Sequence, residues 1–157
     1  MAFLRWTILT VVVCLAAGIL AVNRAAADPF FPVPGPIVNG FDPPDVDWLS
    51  GHRGLDVAAP AGTPIRSPRP GTITFSGTVG GVDVLVVSHG VVRSTFQPAR
   101  ASLPVGTEVP AGAIVGKVTE GTSHCASTCL HWGARIDDRY VDPRLVTGSV
   151  TVVLRPL

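Results

Sequence analysis

Short apolar runs alternate with turn-forming residues along most of this chain. The segment from Thr72 to Ser76 alternates with a period of two, and the run from Val82 to Val87 is continuously apolar. Runs of similar length from Val91 to Phe96 and from Ile114 to Val118 follow. Glycine and proline recur between these runs at short, regular intervals. This pattern predicts short strands joined by tight turns.

The pattern contains little that favours helix. A short piece after Asp142-Pro143, to about Val146, predicts one helical turn, and the segment from Val150 to Leu154 predicts a last strand. The 17 glycines and 15 prolines among 157 residues argue against a helical bundle. A chain of this length, 46% hydrophobic and 15% charged, has room for one modest core. We therefore predict an all-β fold, a small antiparallel β-sandwich or folded sheet.

Residues 1–27 have the composition of a secretory signal peptide. A nearly uninterrupted apolar run extends from Thr7 to Val22, and Ala25 to Ala27 supply small residues where a signal peptidase reads them. We expect cleavage after Ala27 and a secreted or cell-envelope location. The alternative is an uncleaved membrane anchor, which the length of the apolar run barely permits.

The remaining chain divides into three parts. Residues 28–50 are rich in proline and in large apolar side chains, so we expect an extended lead-in that packs across the domain. Residues 51–147 contain the predicted hairpins and form the domain itself. Residues 148–157 form a C-terminal strand or tail.

Charge limits the classes of partner. Cleavage after Ala27 leaves ten basic residues against eleven acidic ones. No segment gathers lysine and arginine into the basic face that nucleic acid or an anionic membrane requires. We therefore expect no nucleic-acid partner.

One short segment, GHRGLD, carries a pair of metal-ligand types four residues apart. In a straight strand His52 and Asp56 would be separated by about 13 Å, too far to share one ion. A bend at Arg53-Gly54 would bring a nitrogen and an oxygen ligand to the distances that zinc accepts. A solvated turn with a local hydrogen bond is the alternative for so short a motif.

A second segment, CLHWG, reads as a strand with one buried face. Period-two alternation places Leu130 and Trp132 on the apolar face, and Cys129 and His131 on the other. His131 is then either a ligand on a rigid strand or a histidine that satisfies a hydrogen bond.

Cysteine usage agrees with export. Cys14 lies in the predicted signal peptide, which leaves Cys125 and Cys129 as the pair in the mature chain. An even pair in an exported protein predicts a disulfide.

Five segments follow one another along the chain: GHRGLDVAAPAGTPI, VVSHG, LPVGTEVPAGAIVGKV, CLHWGAR and YVDP. In order and spacing they resemble the lysostaphin-type zinc metallopeptidases of bacterial cell walls, over roughly Phe31 to Val146. The resemblance implies the fold of that family, with a groove that takes peptidoglycan peptides. It also implies that His52, Asp56 and His131 bind one Zn²⁺ and leave a fourth position for water. We expect a monomer.

Two positions depart from the family pattern. The family has a general-base histidine where this chain has Cys129, and a second catalytic histidine where it has Pro98. His124 is a candidate substitute in the general acid/base role, or else a solvent-exposed loop residue. Cys129, if reduced, could complete a closed zinc site instead. His89 lies at a predicted strand end, which indicates a structural role.

Two functions remain after these residues are weighed. The three retained ligands favour an exported, divergent zinc metallopeptidase that hydrolyses peptide cross-links. The two lost histidines favour a catalytically impaired module on the same fold, which binds peptidoglycan or regulates another wall hydrolase.

Overall fold

The computed structural model describes residues 30–46, 48–121, 125 and 128–147. Within these residues the chain forms eleven strands and one short helix. The strands are β1 (Ile37–Asn39), β2 (Gly54–Ala58), β3 (Pro64–Arg66), β4 (Gly71–Val79), β5 (Val82–His89), β6 (Val92–Gln97), β7 (Ala99–Ala101), β8 (Glu108–Val109), β9 (Ile114–Val118), β10 (Cys129–Ile136) and β11 (Arg139–Val141). The helix, α1, spans Arg144–Thr147.

Eight strands form one antiparallel sheet. Their order is β1-β2-β10-β6-β5-β4-β8, and β11 pairs with the later part of β10. β10 lies between β2 and β6, with His131 directly opposite Asp56 on one side and Gln97 on the other. Since directly opposite residues share a face, this register places all three side chains on one face of the sheet.

The other face of this sheet is the core face. Trp132 is fully buried there and stacks on Phe96 from β6, with 6.5 Å between ring centroids. The three-stranded sheet β3-β9-β7 packs on this face and contributes Ile65 and Val115 to the same core. The alternation in β10 therefore separates a buried apolar face from the face that carries His131.

The all-β prediction is confirmed. Three of the four predicted strand runs fall within β4, β5 and β9, and the run from Val91 to Phe96 begins one residue before β6. The predicted helical turn is α1. β4 is longer than its predicted run and ends at the turn Gly80-Gly81, where both residues have positive φ, 58° and 84°. The predicted strand from Val150 to Leu154 and the predicted signal peptide lie outside the described residues. In the described part of the chain, no helix has the length and apolarity needed to span a membrane.

The lead-in packs on the domain through part of its apolar residues. Val33 is buried, and Phe31 meets Trp132 edge-on with 5.3 Å between ring centroids. β1 pairs antiparallel with β2. Ile37 and Val38 are nevertheless 43% and 48% exposed, because β1 is the outermost strand of the sheet. These two side chains of the lead-in are therefore not part of the core.

His89 completes a hydrogen-bond chain at the end of β5. Its Nδ1 lies 3.1 Å from the carbonyl oxygen of Pro70, which can only accept, so Nδ1 carries a proton and donates. Nε2 then accepts from the Ser94 hydroxyl at 3.1 Å, and the Ser94 oxygen accepts from the indole N–H of Trp132 at 3.3 Å. Burial lowers the pKa of His89, because the charged imidazolium would lose hydration. These contacts agree with a structural role.

We expect the folded protein to lose stability as the pH falls below about 6.5, the value of an unperturbed histidine. Below this pH the imidazole of residue 89 takes up a proton in the unfolded chain, whereas in the folded protein it stays neutral because its pKa is lowered. The free energy of unfolding then decreases until the lowered folded-state pKa is reached. In His89→Gln, an amide can donate to Pro70 and accept from Ser94 without titrating, so stability should depend less on pH. Urea unfolding at several pH values, with metal chelated, measures this, and equal pH dependence in both proteins would contradict it.

Candidate metal centre

Three side chains converge at one point on the face of the large sheet opposite the core. Asp56 is the middle residue of β2, and His131 is the third residue of β10. Asp56 Oδ1 lies 2.7 Å from His131 Nδ1 and 3.1 Å from His52 Nε2, and these two nitrogens are 3.2 Å apart. The structure thus brings together the three residues for which the sequence predicts metal binding.

The backbone bends between His52 and β2. His52 forms an isolated bridge with Asp42, through N–H···O bonds of 2.7 and 2.9 Å. β2 begins only at Gly54, so Arg53-Gly54 joins two stretches that pair with different partners. The bend converts the roughly 13 Å of an extended strand into a 3.1 Å contact between His52 Nε2 and Asp56 Oδ1. The structure therefore contains the bend that the sequence requires for a shared site.

The three atoms have a spacing that suits one zinc ion. In a tetrahedral site with bonds of about 2.0–2.1 Å, neighbouring ligand atoms lie roughly 3.3 Å apart. The distances here are 2.7, 3.1 and 3.2 Å. Two imidazole nitrogens and one carboxylate oxygen are also a donor set that zinc accepts. The Asp56 side chain is fully buried, whereas those of His52 and His131 are 22% and 14% exposed, so the centre opens to solvent past the imidazoles.

Two contacts from the lead-in orient these ligands. His52 Nδ1 donates to the carbonyl oxygen of Gly40, which leaves the lone pair of Nε2 directed at the centre. Asn39 Nδ2 donates to Asp56 Oδ2 at 2.8 Å, which leaves Oδ1 for the centre. Sequence reasoning missed both residues. The available signal was that Asn39 is the one polar side chain between Phe30 and Phe41.

A disulfide lies beside the three ligands. Cys125 and Cys129 are bonded to each other, and both sulfur atoms lie within 4.8 Å of a carboxylate oxygen of Asp56. Cys129 is the first residue of β10 and is buried. A bonded sulfur has no proton to transfer, so this position lacks the acid/base group that the family resemblance leads one to expect.

Pro98 occupies the second position that lacks a histidine. It directly follows Gln97, which is opposite His131 in the sheet, and it has no N–H and no side-chain donor. A Cβ built on Gly121 would lie 3.4 Å from Pro98 Cβ, so the chain passes close to the proline at that point. His124 lies outside the described residues, and its catalytic role stays a prediction.

Position 54 requires glycine because β10 and the His131 ring lie very close to it. A Cβ built on it would lie 2.6 Å from the carbonyl oxygen of Trp132 and 2.7 Å from both Nε2 and Cε1 of His131. Real Cβ atoms do not approach other atoms so closely, so any side chain at this position must displace the imidazole or the strand. The glycine within HRGLD therefore provides the room in which His131 lies.

We expect Gly54→Ala to weaken zinc binding by about 10–100-fold, the range found when groups that orient a metal ligand are altered. Gly40→Ala is the matched control, because its Cβ would meet no atom within 4 Å and its carbonyl to His52 is kept. Competition with a chromophoric chelator measures both affinities. Equal affinities in the two variants would show that the close approach at Gly54 does not matter.

Comparisons with known proteins relate the chain to peptidases. A sequence model of Peptidase family M23 matches residues 50–143. An uncharacterized protein of Mycobacterium tuberculosis is 35% identical over 130 residues, which cover 79% of this chain and 52% of that protein. The DD-carboxypeptidase/endopeptidase Mpg of Neisseria meningitidis serogroup B is 34% identical over 94 residues, which cover 59% of this chain and 22% of that protein.

A solved structure supports the fold. The catalytic domain of lysostaphin from Staphylococcus simulans superposes with a TM-score of 0.60 at 24% identity, and the match covers 72% of this chain and 92% of that domain. The chain spans about half the length of the mycobacterial relative.

Proposed function

Because this chain belongs to peptidase family M23, we propose that it is an exported zinc metallopeptidase that hydrolyses peptide cross-links in peptidoglycan. The observation that carries the proposal is the convergence of His52, Asp56 and His131, whose ligand atoms lie 2.7–3.2 Å apart. The family match spans all three residues. The name of the neisserial relative, a DD-carboxypeptidase/endopeptidase, supports a peptide as the substrate.

Contacts within the chain orient the three ligands. Asn39 fixes the Asp56 carboxylate, and the Gly40 carbonyl fixes the tautomer of His52. A zinc ion in this site would polarise the carbonyl of the peptide bond and lower the pKa of a water molecule toward about 7. The two imidazole ligands lie on the open side, where a substrate can approach.

General acid/base catalysis is assigned in this proposal to His124. It precedes Cys125, whose sulfur lies within 4.8 Å of an Asp56 carboxylate oxygen. The disulfide thus ties the chain to the metal centre one residue after this histidine. Its imidazole would take the proton of the attacking water and pass it to the leaving amine, an effect worth typically 10²–10⁴ in rate.

Metal analysis and a wall digest test the proposal together. The purified mature chain should contain one zinc per molecule, measured by inductively coupled plasma mass spectrometry. It should shorten cross-linked wall peptides, detected by mass spectrometry. Chelation should stop the cleavage and added zinc should restore it. A zinc-loaded protein that leaves every cross-link intact would contradict the peptidase proposal.

A binding or regulatory module is the second candidate. It is favoured by the bonded sulfur at Cys129 and by Pro98, since neither can replace a catalytic histidine. Such a module would bind wall peptides without cutting them, or change the rate of an added wall hydrolase. Peptide binding by an inert, zinc-loaded protein would favour this candidate.

Export is part of the proposal. We expect the mature chain to begin at Asp28, and N-terminal sequencing of secreted material tests this. An intact Met1 in a membrane fraction would favour the uncleaved anchor. An oxidising compartment would preserve a disulfide between Cys125 and Cys129. Intact mass before and after reduction tests that pairing.

A further inference from the structure

A pair of arginine side chains lies on the same face of the large sheet as the metal centre. In β6 and β10, Gln97 is opposite His131, and Arg93 is opposite Arg135. The arginine pair is four residues along each strand from the first pair, which is roughly 13 Å at about 3.3 Å per residue. An extended peptide of about four residues spans that distance.

One residue of each strand separates the metal centre from the arginine pair on this face of the sheet. Thr95 and Gly133 face each other there. Gly133 has no side chain and Thr95 is half-buried, so no large side chain of β6 or β10 projects between the metal centre and the arginine pair. Gly133 itself is buried, and a Cβ built on it would lie 3.7 Å from the carbonyl oxygen of Arg53. A peptide can therefore run from the metal centre to the arginine pair along the sheet.

Among the described residues, one carboxylate faces the two guanidinium groups of the arginine pair. Two like charges directly opposite each other on neighbouring strands repel. Asp138 Oδ1 lies 3.9 Å from Arg93 Nη2 and 3.4 Å from Arg135 Nη2. The Asp138 side chain is 95% exposed, so solvent screens this attraction. One screened carboxylate does not neutralise two guanidinium groups. Its position shows that a carboxylate oxygen can contact both arginines at once.

Arg135 is oriented for a planar anion. Its Cζ lies 4.8 Å from the ring centroid of Tyr140, and Nη2 donates to the backbone oxygen of Asp138 at 3.0 Å. Its Nε is buried and has no hydrogen-bond partner among the described residues. The Arg135 side chain as a whole is 32% exposed, so N–H groups on its terminal nitrogens can be offered to a carboxylate of a ligand.

We propose that Arg93 and Arg135 form an anionic subsite that binds a free carboxylate of the substrate peptide, about four residues from the bond that is cut. The place of that bond rests on the proposed function, whereas the subsite is defined by binding. A bound carboxylate displaces the weak contacts of Asp138 and accepts from both guanidinium groups. The subsite selects wall peptides with free carboxylates over the same peptides with amidated ones.

Isothermal titration calorimetry of the zinc-loaded mature chain tests the subsite with one synthetic wall peptide, as the free acid and as the amide. Wild type should bind the acid roughly 10–100-fold more tightly, the value of a charge-assisted hydrogen bond. Arg135→Gln and Arg93→Gln should each remove most of that preference. Asp138→Asn should increase it, because the competing carboxylate is gone. Arg139→Gln is the matched control, since Arg139 belongs to the same hairpin but is opposite Ile136, on the other face.

Equal affinity of wild type for the acid and the amide would overturn the subsite. So would an unchanged preference in Arg135→Gln, a preference lost equally in Arg139→Gln, or no binding of either peptide. Cleavage assays on the same peptides separate the two proposals. A preference for the acid without cleavage would leave the subsite standing and overturn the peptidase proposal. Cleavage of both forms with equal KM in wild type and Arg135→Gln would overturn the subsite and leave the peptidase proposal standing.

Discussion

Replacing His131 by alanine should abolish zinc binding and any peptidase activity with it. The variant keeps only His52 and the buried carboxylate of Asp56, and two ligands do not make the three-ligand site that a catalytic zinc requires. We expect the affinity for zinc to fall by more than about 100-fold, since changes to groups that merely orient a ligand already cost 10–100-fold. Chelator competition and metal analysis of the purified variant measure the loss.

The matched control is His89→Gln, which removes an imidazole from the same sheet without touching the three ligands. It should keep its zinc. Circular dichroism should show that both variants fold. Full zinc occupancy in a folded His131→Ala protein would place the metal elsewhere and overturn the assignment.

A histidine introduced at Cys129 should raise the rate of hydrolysis by about 10²–10³, the value of one group that stabilises the transition state. Position 129 is two residues before His131 on the same strand, and its sulfur lies within 4.8 Å of an Asp56 carboxylate oxygen. An imidazole there can therefore reach the water and the carbonyl beside the metal centre. Cys125→Ser is made at the same time so that no free thiol remains. Cleavage of a cross-linked wall peptide, with zinc supplied, gives the rate.

The double variant with serine at both cysteines is the control, because it lacks the disulfide without gaining an imidazole. His124→Ala completes the comparison. Loss of activity in His124→Ala would support the divergent enzyme. An inert wild type beside an active Cys129→His variant would support the binding module instead. No gain over the double serine variant would show that the position does not take part in the chemistry.

The strand that carries His131 could be predicted from its residues alone. The alternation in CLHWG separates Leu130 and Trp132, which are fully buried in the core, from His131, which is half-buried on the other face. Cys129 and Gly133 share the face of His131 but are buried, which the alternation does not predict. The bend in GHRGLD could also be predicted, because Gly54 interrupts the straight strand that would separate His52 from Asp56. Joining these segments into one site depended on the family resemblance, since periodicity does not say which strands are neighbours.

Other parts of the site depend on contacts between segments that are distant along the chain. Asn39 contacts a carboxylate 17 residues away, and Arg93 meets Arg135 only because β6 and β10 pair in one register. Strand register between distant segments depends on the packing of the whole sheet, which local sequence does not encode. The placement of a disulfide against Asp56 was hidden for the same reason.

The lead-in also covers the hydrogen-bonding edge of β2. β1 occupies the hydrogen-bonding edge of β2, whose other side is taken by β10. Without β1, the backbone of β2 would present unpaired N–H and C=O groups to solvent, and such an edge is a template for pairing with a second molecule. Asn39 and Gly40 also orient the ligands. Detachment of β1 would therefore loosen the metal centre and expose an aggregation-prone edge. We therefore expect metal retention and colloidal stability to change together.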